Sequence, residues 1–340
     1  MVMMYCQSVM EVTESTQIGQ VRRESMRLAS LVGFDETLAG RASIIATELA
    51  TNLATHTIGG EILMRTYVSG AVNGLEFLSI DRGPGMQNVA QCLQDGYSTA
   101  GTAGNGMGAI IRLSTEFDIY SARPGGTIIL SRVESSKQAV SKFEWGSICC
   151  PAPRETMSGD TWRVATREDQ FSLIVADGLG HGPLAADASD VAAATFEETP
   201  FAEQTELFRS ADRRMRGTRG AAVAMSLIDL GRGQISFTGI GNIAAWVKSR
   251  NAKSRGLVSH NGTLGVEIRH VQQFTSEFPE DAVLIMHSDG IQTRWNLEDY
   301  PGLLERHPSL IAAILYRDFT RGRDDLTVCV VRAVRSGGFS

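Results

Sequence analysis

The sequence predicts an α/β (α+β) protein of two domains, in which a helix layer on a sheet is followed by an α/β sandwich. Strands come in runs and helices come in runs, which is typical of sandwiches rather than of a doubly wound sheet. A chain of 340 residues is long enough to bury two hydrophobic cores. Residues 134–142 are polar and lack hydrophobic periodicity, as linkers do. We therefore expect domains at 8–133 and 143–335.

The elements of the first domain follow from local patterns. Apolar positions at helical spacing predict a helix over 16–32 that ends at Gly33, and Asp35 is a plausible cap for a second helix that runs to about residue 56. The Asn73-Gly74 dipeptide predicts the turn of a hairpin, and a short helix ends near residue 113. Strands are predicted at 8–12, 62–68, 75–81, 116–121 and 127–133.

In the second domain, apolar runs of strand length alternate with helical stretches. Helices are predicted at 183–197, 203–216 and 309–319. Strands are predicted at 161–165, 173–176, 221–240 and onwards to 274, 282–287 and 326–331.

Composition excludes several classes of protein. Hydrophobic residues make up 43% and charged residues 21%, which is typical of globular proteins, and the net charge of −6 argues against a nucleic-acid partner. The five scattered cysteines form neither a disulfide framework nor a zinc pattern. No apolar run is long enough to span a bilayer, and the start of the chain lacks the features of a signal peptide. We expect a cytoplasmic protein that has no membrane contact.

An acidic residue ends the most apolar strand of the second half. Four apolar residues (173–176) precede Asp177. Glycines at 178, 180 and 182 leave much of the following loop without side chains. A carboxylate with bare backbone behind it suits a hard cation that takes oxygen ligands. For this stretch alone, a tight turn with a solvated Asp is the alternative.

Three further carboxylate positions have similar settings. Asp160 precedes a strand, Asp289 ends one within Asp-Gly, and Asp324-Asp325 precedes the last strand. Clustered carboxylates would repel one another without cations, so the four positions together predict a site for divalent metal ions.

These motifs resemble those of the PPM-type metal-dependent Ser/Thr phosphatases, in the bacterial branch that acts in sporulation and stress control. The resemblance spans about 143–332 and implies an α-β-β-α sandwich. It implies two Mn²⁺ or Mg²⁺ ions bridged by Asp160 and Asp177, which are the catalytic residues. Asp325 is then a residue that supports a ligand or forms a turn. Water activated by the ions would attack phosphoserine or phosphothreonine. The motifs are Gly159-Asp160, Asp177-Gly178 with His181-Gly182, Gly241-Asn242, Gly262 to Gly265, Ser288-Asp289-Gly290 and Asp324-Asp325-Leu-Thr327. The implied metal ligands are Asp160, Asp177, the Gly178 carbonyl, Asp289 and Asp324.

The first half carries three patterns of nucleotide-binding type. Glu48 and Asn52 lie four apart and so share one helix face, where they could hold Mg²⁺ and activate a hydroxyl; an exposed helix face is the alternative. Asp81 ends a strand and is followed by two glycines, at positions 83 and 85. This arrangement suits a carboxylate that accepts a hydrogen bond from the amino group of adenine. The Gly-rich run 101–108 leads into a helix, an arrangement that binds phosphate.

In this order the three patterns resemble the GHKL ATPases, which have a Bergerat-type helix-on-sheet sandwich, and within them the switch kinase of the bacterial stressosome. The resemblance covers about 8–133 and implies ATP with Mg²⁺. It implies Glu48 as catalytic base, Asn52 as Mg²⁺ ligand and Asp81 on adenine. The usual Gly-Leu-Gly of the lid is spread out here, so phosphate contact is expected while ATP turnover stays open. The glycines implied around the nucleotide are Gly83, Gly85, Gly104, Gly106 and Gly108.

Together the resemblances imply a signalling phosphatase with a kinase-like ATP-binding domain. The implied substrate is a phosphorylated anti-sigma antagonist or a stressosome scaffold-type protein. The rival hypothesis is a non-catalytic, ATP-dependent partner-switching module. Three histidines have open or structural roles: His56 caps a helix or touches the nucleotide, His181 lies in the metal loop or at the surface, and His287 is a satisfied core residue.

Overall fold

The computed structural model describes residues 6–93, 106–136 and 141–334. The described residues form two compact units. The first contains the chain before residue 141 together with 297–314, and the second contains 141–296 with the chain from 315 onwards. The domain limits 8–133 and 143–335 stay a prediction.

The first unit contains a five-stranded sheet in the order β1-β2-β3-β5-β4, and its neighbouring strands are antiparallel. The buried side chains of the sheet and of two long helices form one core. Both long helices and all five strands were predicted. The strands are β1 (Ser8–Val12), β2 (Gly60–Ser69), β3 (Val72–Asp81), β4 (Glu116–Ser121) and β5 (Thr127–Glu134).

The helices of the first unit begin and end where the sequence signals lie. Asp35 caps α2, since its carboxylate accepts a hydrogen bond from the Leu38 amide at 2.8 Å. Gly33 follows α1 with a φ of 77°, a left-handed conformation that favours glycine. The helices are α1 (Ile18–Leu31), α2 (Glu36–His56), α3 (Val89–Cys92) and α4 (Gly106–Leu113), with a 3-10 turn at Ser15–Gln17.

The predicted hairpin turn at Asn73-Gly74 is wrong. Ser69 pairs with Val72, so the turn is Gly70-Ala71, and both Asn73 and Gly74 lie inside β3. The glycine is needed there for another reason, because a Cβ at Gly74 would lie 2.2 Å from the ring of Tyr67. A dipeptide typical of turns thus serves close packing within a strand.

Residues 297–314 also belong to the first unit, which the sequence did not predict. They include 3-10 turns at Leu297–Asp299 and Leu303–Glu305 and the start of α7 (Pro308–Phe319). The His307 amide donates to Asp118 at 2.7 Å, and the Ser309 hydroxyl donates to Glu76 at 3.2 Å. This segment therefore contributes polar contacts to the partly exposed Asp118 and the buried Glu76 of the first sheet.

The second unit is a sandwich of two five-stranded sheets, ordered β15-β10-β9-β8-β7 and β12-β11-β16-β17-β6. This confirms the predicted α+β sandwich. One sheet holds β7 (Asp160–Arg167), β8 (Gln170–Gly178), β9 (Ala221–Asp229), β10 (Gln234–Ile240) and β15 (Phe274–Glu277). The other holds β6 (Phe143–Cys150), β11 (Ala244–Lys248), β12 (Arg255–Leu257), β16 (Val283–His287) and β17 (Leu326–Ala333). A small ribbon joins β13 (Gly262–Thr263) to β14 (Glu267–Ile268).

Two helices, α5 (Pro183–Glu198) and α6 (Gln204–Met215), lie against the first of these sheets. Their buried residues share one core with β8, β9 and β10. His287 is buried as predicted, and both its ring nitrogens have partners: Nδ1 lies 2.8 Å from the Ser288 carbonyl, and Trp295 donates to Nε2 at 3.1 Å. Among the residues that the structure describes, no helix combines the length and apolar character needed to cross a membrane.

Candidate metal and nucleotide sites

Strand pairing places two of the predicted metal ligands side by side. Asp160 at the start of β7 is the register partner of Asp177 near the end of β8. Directly opposed residues of an antiparallel pair point to the same face, with Cβ atoms about 4.5–5.5 Å apart. The structure therefore brings Asp160 and Asp177 together, and their catalytic role stays a prediction.

Asp160 is a buried carboxylate that lacks a counter-charge. It is 3% exposed, and neither of its oxygens has a hydrogen-bond partner among the described residues. Burial raises the pKa of Asp160 well above its usual range, and Cys149 raises it further, while the nearby hydroxyls of Ser288 and Thr327 act in the opposite direction. Such a group is costly unless something positive joins it.

Asp177 lies in the same electrostatic environment. Burial and the charge of Asp160 raise the pKa of Asp177 to about 9. The carboxylates of Asp289, Asp324 and Asp325 add to this increase. Mutual repulsion over short distances is the physical mark of clustered carboxylates.

Asp289 and Asp324 complete the cluster from two neighbouring strand ends. Asp289 follows β16, and burial and then the charge of Asp324 raise its pKa. The amide of Asn242 donates to Asp289 Oδ2 at 2.8 Å. Asn242 fits a sequence motif but had no predicted role, and only the fold shows which carboxylate it holds. Asp324 is exposed.

Asp325 is the buried neighbour that supports the cluster. Its carboxylate accepts hydrogen bonds from the Ala152 amide at 2.8 Å and from the Gly159 amide at 2.9 Å. It therefore ties two loops to the start of β17, and one of these loops carries Asp160. The predicted supporting role agrees with this geometry.

The glycine loop after β8 is shaped by close packing. A Cβ at Gly178 would lie 2.0 Å from the Ala185 carbonyl oxygen, so only glycine allows α5 to begin there. Gly180 and Gly182 have φ values of 87° and 75°. The exposed His181 pairs with Glu155 at 2.7 Å. His181 is thus a loop residue whose ring already has a partner.

In the described part of the chain, no three His, Cys, Asp or Glu side chains converge closely enough to hold one ion. The acidic groups are instead spread over several strand ends. The two orphaned oxygens of Asp160 and the all-oxygen character of the cluster nevertheless fit hard divalent cations.

The first unit contains a cavity of about 370 Å³ between α2, β3 and the start of α4. Its wall brings together four predicted nucleotide-site residues: Asn52, Asp81, Gly85 and Gly106. Gly104 lies outside the described residues. Glu48, Gly83 and Gly108 are absent from the wall. Nucleotide contact stays a prediction for all of these residues.

Asn52 and Glu48 lie beside the start of α4. The side-chain nitrogen of Asn52 is buried without a hydrogen-bond partner among the described residues. A Cβ at Gly106 would lie 2.5 Å from Glu48 Oε2 and 3.9 Å from Asn52 Oδ1. Glycine at this position keeps room open next to both side chains, which fits a phosphate-bound Mg²⁺.

Asp81 is a buried wall residue at the end of β3, 7% exposed. Its Oδ1 accepts a hydrogen bond from the Gly83 amide at 2.7 Å, which fixes the direction of the carboxylate. A Cβ at Gly85 would lie 2.2 Å from the Ala122 carbonyl oxygen, so this glycine lets the two loops meet.

Several wall residues carry no sequence signal that distinguishes them from ordinary strand or loop residues. His56 is one exception, since it follows Asn52 by one helical turn, and the structure places it on the wall. The other unpredicted wall residues include Thr57, Ser79, Met86, Arg123 and Thr127.

Sequence comparison matches each half of the chain to a family. Residues 167–334 match the family Stage II sporulation protein E (SpoIIE), and residues 12–132 match the histidine kinase-like ATPase domain. The chain is a fusion of a kinase-like ATPase domain and a SpoIIE-type phosphatase domain. The phosphatase domain makes the chain a protein Ser/Thr phosphatase.

Two curated relatives from Bacillus subtilis (strain 168) match one domain each. The serine/threonine-protein kinase RsbT is 28% identical over 123 residues, 36% of this chain and 92% of that protein. The phosphoserine phosphatase RsbX is 23% identical over 175 residues, 51% of this chain and 86% of that protein.

Solved structures show the same fold for the phosphatase domain. RsbX in complex with magnesium is 19% identical and has a TM-score of 0.52, over 58% of this chain and 98% of that chain. A chain from work on the bacterial stressosome as a modular system for secondary messenger signalling is 28% identical. Its TM-score is 0.53, and the match covers 56% of this chain and 100% of that chain.

Proposed function

We propose that the phosphatase domain removes phosphate from serine or threonine of a partner protein through two divalent cations, Mn²⁺ or Mg²⁺. The observation that carries this proposal is the buried, unpartnered carboxylate of Asp160 directly opposite Asp177. A carboxylate buried as deeply as that of Asp160 costs free energy until a cation compensates its charge.

Asp160, Asp177, Asp289, Asp324 and the Gly178 carbonyl would hold the cations, which take oxygen ligands. Cations bound there would compensate the negative charge of the clustered carboxylates. The cations would lower the pKa of water and neutralise the charge of the phosphoryl group.

Residues of the chain itself orient the proposed metal ligands and exclude bulk water from the site. Asn242 holds Asp289 through its Oδ2, which leaves the other oxygen for a ligand bond. Asp325 fixes the loop that carries Asp160. The burial of Asp160 keeps bulk water from the inner side of the site, where electrostatic interactions are then stronger.

We infer that the partner is a phosphorylated anti-sigma antagonist or a stressosome scaffold-type protein in the cytoplasm. Support comes from the pairing of domains, since one half is similar to a protein named as a Ser/Thr kinase and the other to one named as a phosphoserine phosphatase. Such a pair of activities is what a reversible phosphorylation switch requires.

We also propose that the first domain binds ATP with Mg²⁺. Asn52 would be the Mg²⁺ ligand, Asp81 would bind adenine, and Glu48 would be the base of a kinase reaction. The open space that Gly106 leaves beside Asn52 Oδ1 and Glu48 Oε2 supports this assignment. The amide nitrogen of Asn52, unpartnered among the described residues, is a donor and would suit a phosphate oxygen. A domain that binds ATP without turnover, as a partner-switching module, is the alternative for this half.

The test uses the full chain with Mn²⁺, Mg²⁺ or EDTA and a phosphoserine protein of the stressosome type as substrate. We expect phosphate release that needs the cation. Release in excess EDTA would contradict the metal assignment. Incubation with γ-labelled ATP and the dephosphorylated partner separates the two alternatives for the first domain, because only a kinase transfers label.

A further inference from the structure

The turn between α6 and β9 runs directly beside the glycine loop of the metal site. The carbonyl oxygen of Gly220 accepts a hydrogen bond from the Leu179 amide at 3.0 Å. Leu179 is two residues after Asp177, so this bond ties the turn to the loop that carries a proposed metal ligand. The residue before Gly220 is Arg219.

This turn is held in one conformation by several contacts. The amide and hydroxyl of Thr218 donate to the Met215 carbonyl at 2.9 and 2.7 Å, and the Gly220 amide donates to the Thr218 hydroxyl at 3.1 Å. Gly220 has a φ of 81°, and a Cβ there would lie 2.6 Å from the Leu264 carbonyl oxygen. The backbone of Arg219 is therefore fixed, so less entropy is lost when its side chain binds.

The guanidinium of Arg219 lies against the glycine loop. A Cβ at Gly180 would be 2.9 Å from Arg219 Nη1, so the absence of a side chain at Gly180 makes room for it. Arg219 is exposed, and in the described part of the chain no hydrogen bond or ion pair engages its guanidinium. By contrast, the neighbouring His181 is paired with Glu155.

Arginine at this position suits a phosphate group better than a structural role. Its planar fork binds phosphate oxygens in bidentate fashion. An acidic cluster alone would repel a phosphoryl dianion, and even with cations bound, the outward phosphoryl oxygens need donors.

Apolar side chains flank Arg219. Leu179 is 49% exposed and Val266 is 65% exposed. Val266 lies beside the turn, because a Cβ at Gly220 would be 2.7 Å from its methyl group. The guanidinium of Arg219, unpaired among the described residues, could bind the phosphate of a phosphorylated residue. The exposed apolar side chains nearby could contact the protein surface around that residue.

We propose that Arg219 binds the phosphoryl oxygens of the substrate, and that Leu179 and Val266 contact the protein surface around the phosphorylated residue. This inference rests on the proposed metal-dependent reaction at Asp160 and Asp177. It adds a substrate-binding residue that contacts no metal ion.

The experiment measures kcat and KM of the full chain with Mn²⁺, for p-nitrophenyl phosphate and for a phosphoserine protein, and the inhibition constant of inorganic phosphate. Arg219→Ala should lower kcat/KM for both substrates and weaken inhibition by phosphate, each by about tenfold to a hundredfold, since a charge-assisted hydrogen bond is lost. Arg219→Lys should restore part of the loss. Leu179→Ser should raise KM for the phosphoprotein alone.

The matched control is Arg216→Ala, which removes the same charge from the same turn. Its guanidinium faces Asp212 at 3.6 Å, and its side chain is 74% exposed. Equal inhibition by phosphate in wild type and Arg219→Ala would overturn the inference, as would an equal effect of Arg216→Ala. Calorimetric binding of phosphate with Mn²⁺ present gives the same comparison without turnover. A wild type without Mn²⁺-dependent activity would instead refute the proposed reaction.

Discussion

Each unit of the protein buries acidic side chains, and the two units treat them in opposite ways. In the first unit Glu76 is 1% exposed and lies between Arg65 at 2.8 Å and Arg132 at 2.6 Å. Burial alone would raise the pKa of Glu76, but the two guanidinium groups outweigh it and hold the pKa well below its usual range. Among the described residues of the second unit, no positively charged side chain pairs with Asp160 or Asp177, and burial raises the pKa of both carboxyl groups.

The difference separates a structural charge from a functional one. Glu76 has its counter-charges within the chain, so its cluster is complete when the protein folds. The aspartates of the second unit need positive charge that the chain does not supply among its described residues. A buried carboxylate is thus informative about function mainly through what lies next to it.

The largest effect should follow loss of a carboxylate from the second cluster. Asp177→Asn removes a proposed metal ligand, and metal ions contribute several kcal/mol to such reactions, which corresponds to about a thousandfold or more in rate. We expect phosphate release from p-nitrophenyl phosphate to fall accordingly while the far-UV circular dichroism is unchanged. Asp187→Asn, at an exposed position of α5, is the control. A fully active Asp177→Asn would refute the assignment.

Loss of the structural carboxylate should instead affect stability. Glu76→Gln leaves Arg65 and Arg132 buried without full compensation, so we expect the free energy of unfolding of the first unit to fall by about 3–5 kcal/mol. Chemical denaturation of the full chain measures this. Glu24→Gln removes an ion pair with the exposed Arg27 and should cost less than about 1 kcal/mol. Equal stability of Glu76→Gln and wild type would contradict the comparison.

The two clusters should also respond to pH with opposite signs. The pKa of Asp177 in the folded protein is about 9, above its ordinary value of 3.8. Without metal, the contribution of Asp177 to the free energy of unfolding therefore falls as pH rises between these two values. The folded pKa of Glu76 is lowered, so its contribution is present above its ordinary value of 4.5 and is lost as pH falls towards the lowered pKa.

Melting curves in EDTA and in Mn²⁺ test this contrast, between pH 5 and 9 for Asp177 and below pH 4.5 for Glu76. Mn²⁺ should stabilise wild type by about 2–3 kcal/mol at a hundredfold excess over its Kd, most strongly at high pH. In EDTA at pH 8, Asp177→Asn should melt higher than wild type, because it removes the repelled carboxylate. A lower melting temperature for this variant would show that the carboxylate is compensated in some other way.

The smallest predicted effect concerns Asn52. Its side-chain nitrogen, like the carboxylate of Asp160, is a buried polar group without a hydrogen-bond partner among the described residues, but it is uncharged. Asn52→Ala should weaken binding of ATP with Mg²⁺ by about tenfold or more, as expected for the loss of one or two ligand contacts. Isothermal titration of the full chain measures this affinity. Thr55→Ala, on the exposed face of the same helix, should bind ATP like wild type, and unchanged binding by Asn52→Ala would remove Asn52 from the site.

Local signals explain why so much of the architecture could be predicted. Asp35 caps α2, Gly33 ends α1, and apolar runs become β8 and β16, because capping and periodicity depend on near neighbours in sequence. The Asn73-Gly74 turn was wrong for the converse reason. Its dipeptide is typical of turns, but the ring of Tyr67 from the neighbouring strand requires the glycine within β3.

The order of amino acids specifies which residue types stand at the strand ends, so carboxylates, glycines and a helix-borne Glu48–Asn52 pair are predictable. Which of these residues meet depends on tertiary packing. It placed Asp160 opposite Asp177, joined Asn242 to Asp289, set Arg219 against Gly180 and brought residues 297–314 to the first unit. These contacts join residues far apart in sequence, and strand register and packing select them. A local sequence pattern cannot predict which distant residues the register and the packing bring together.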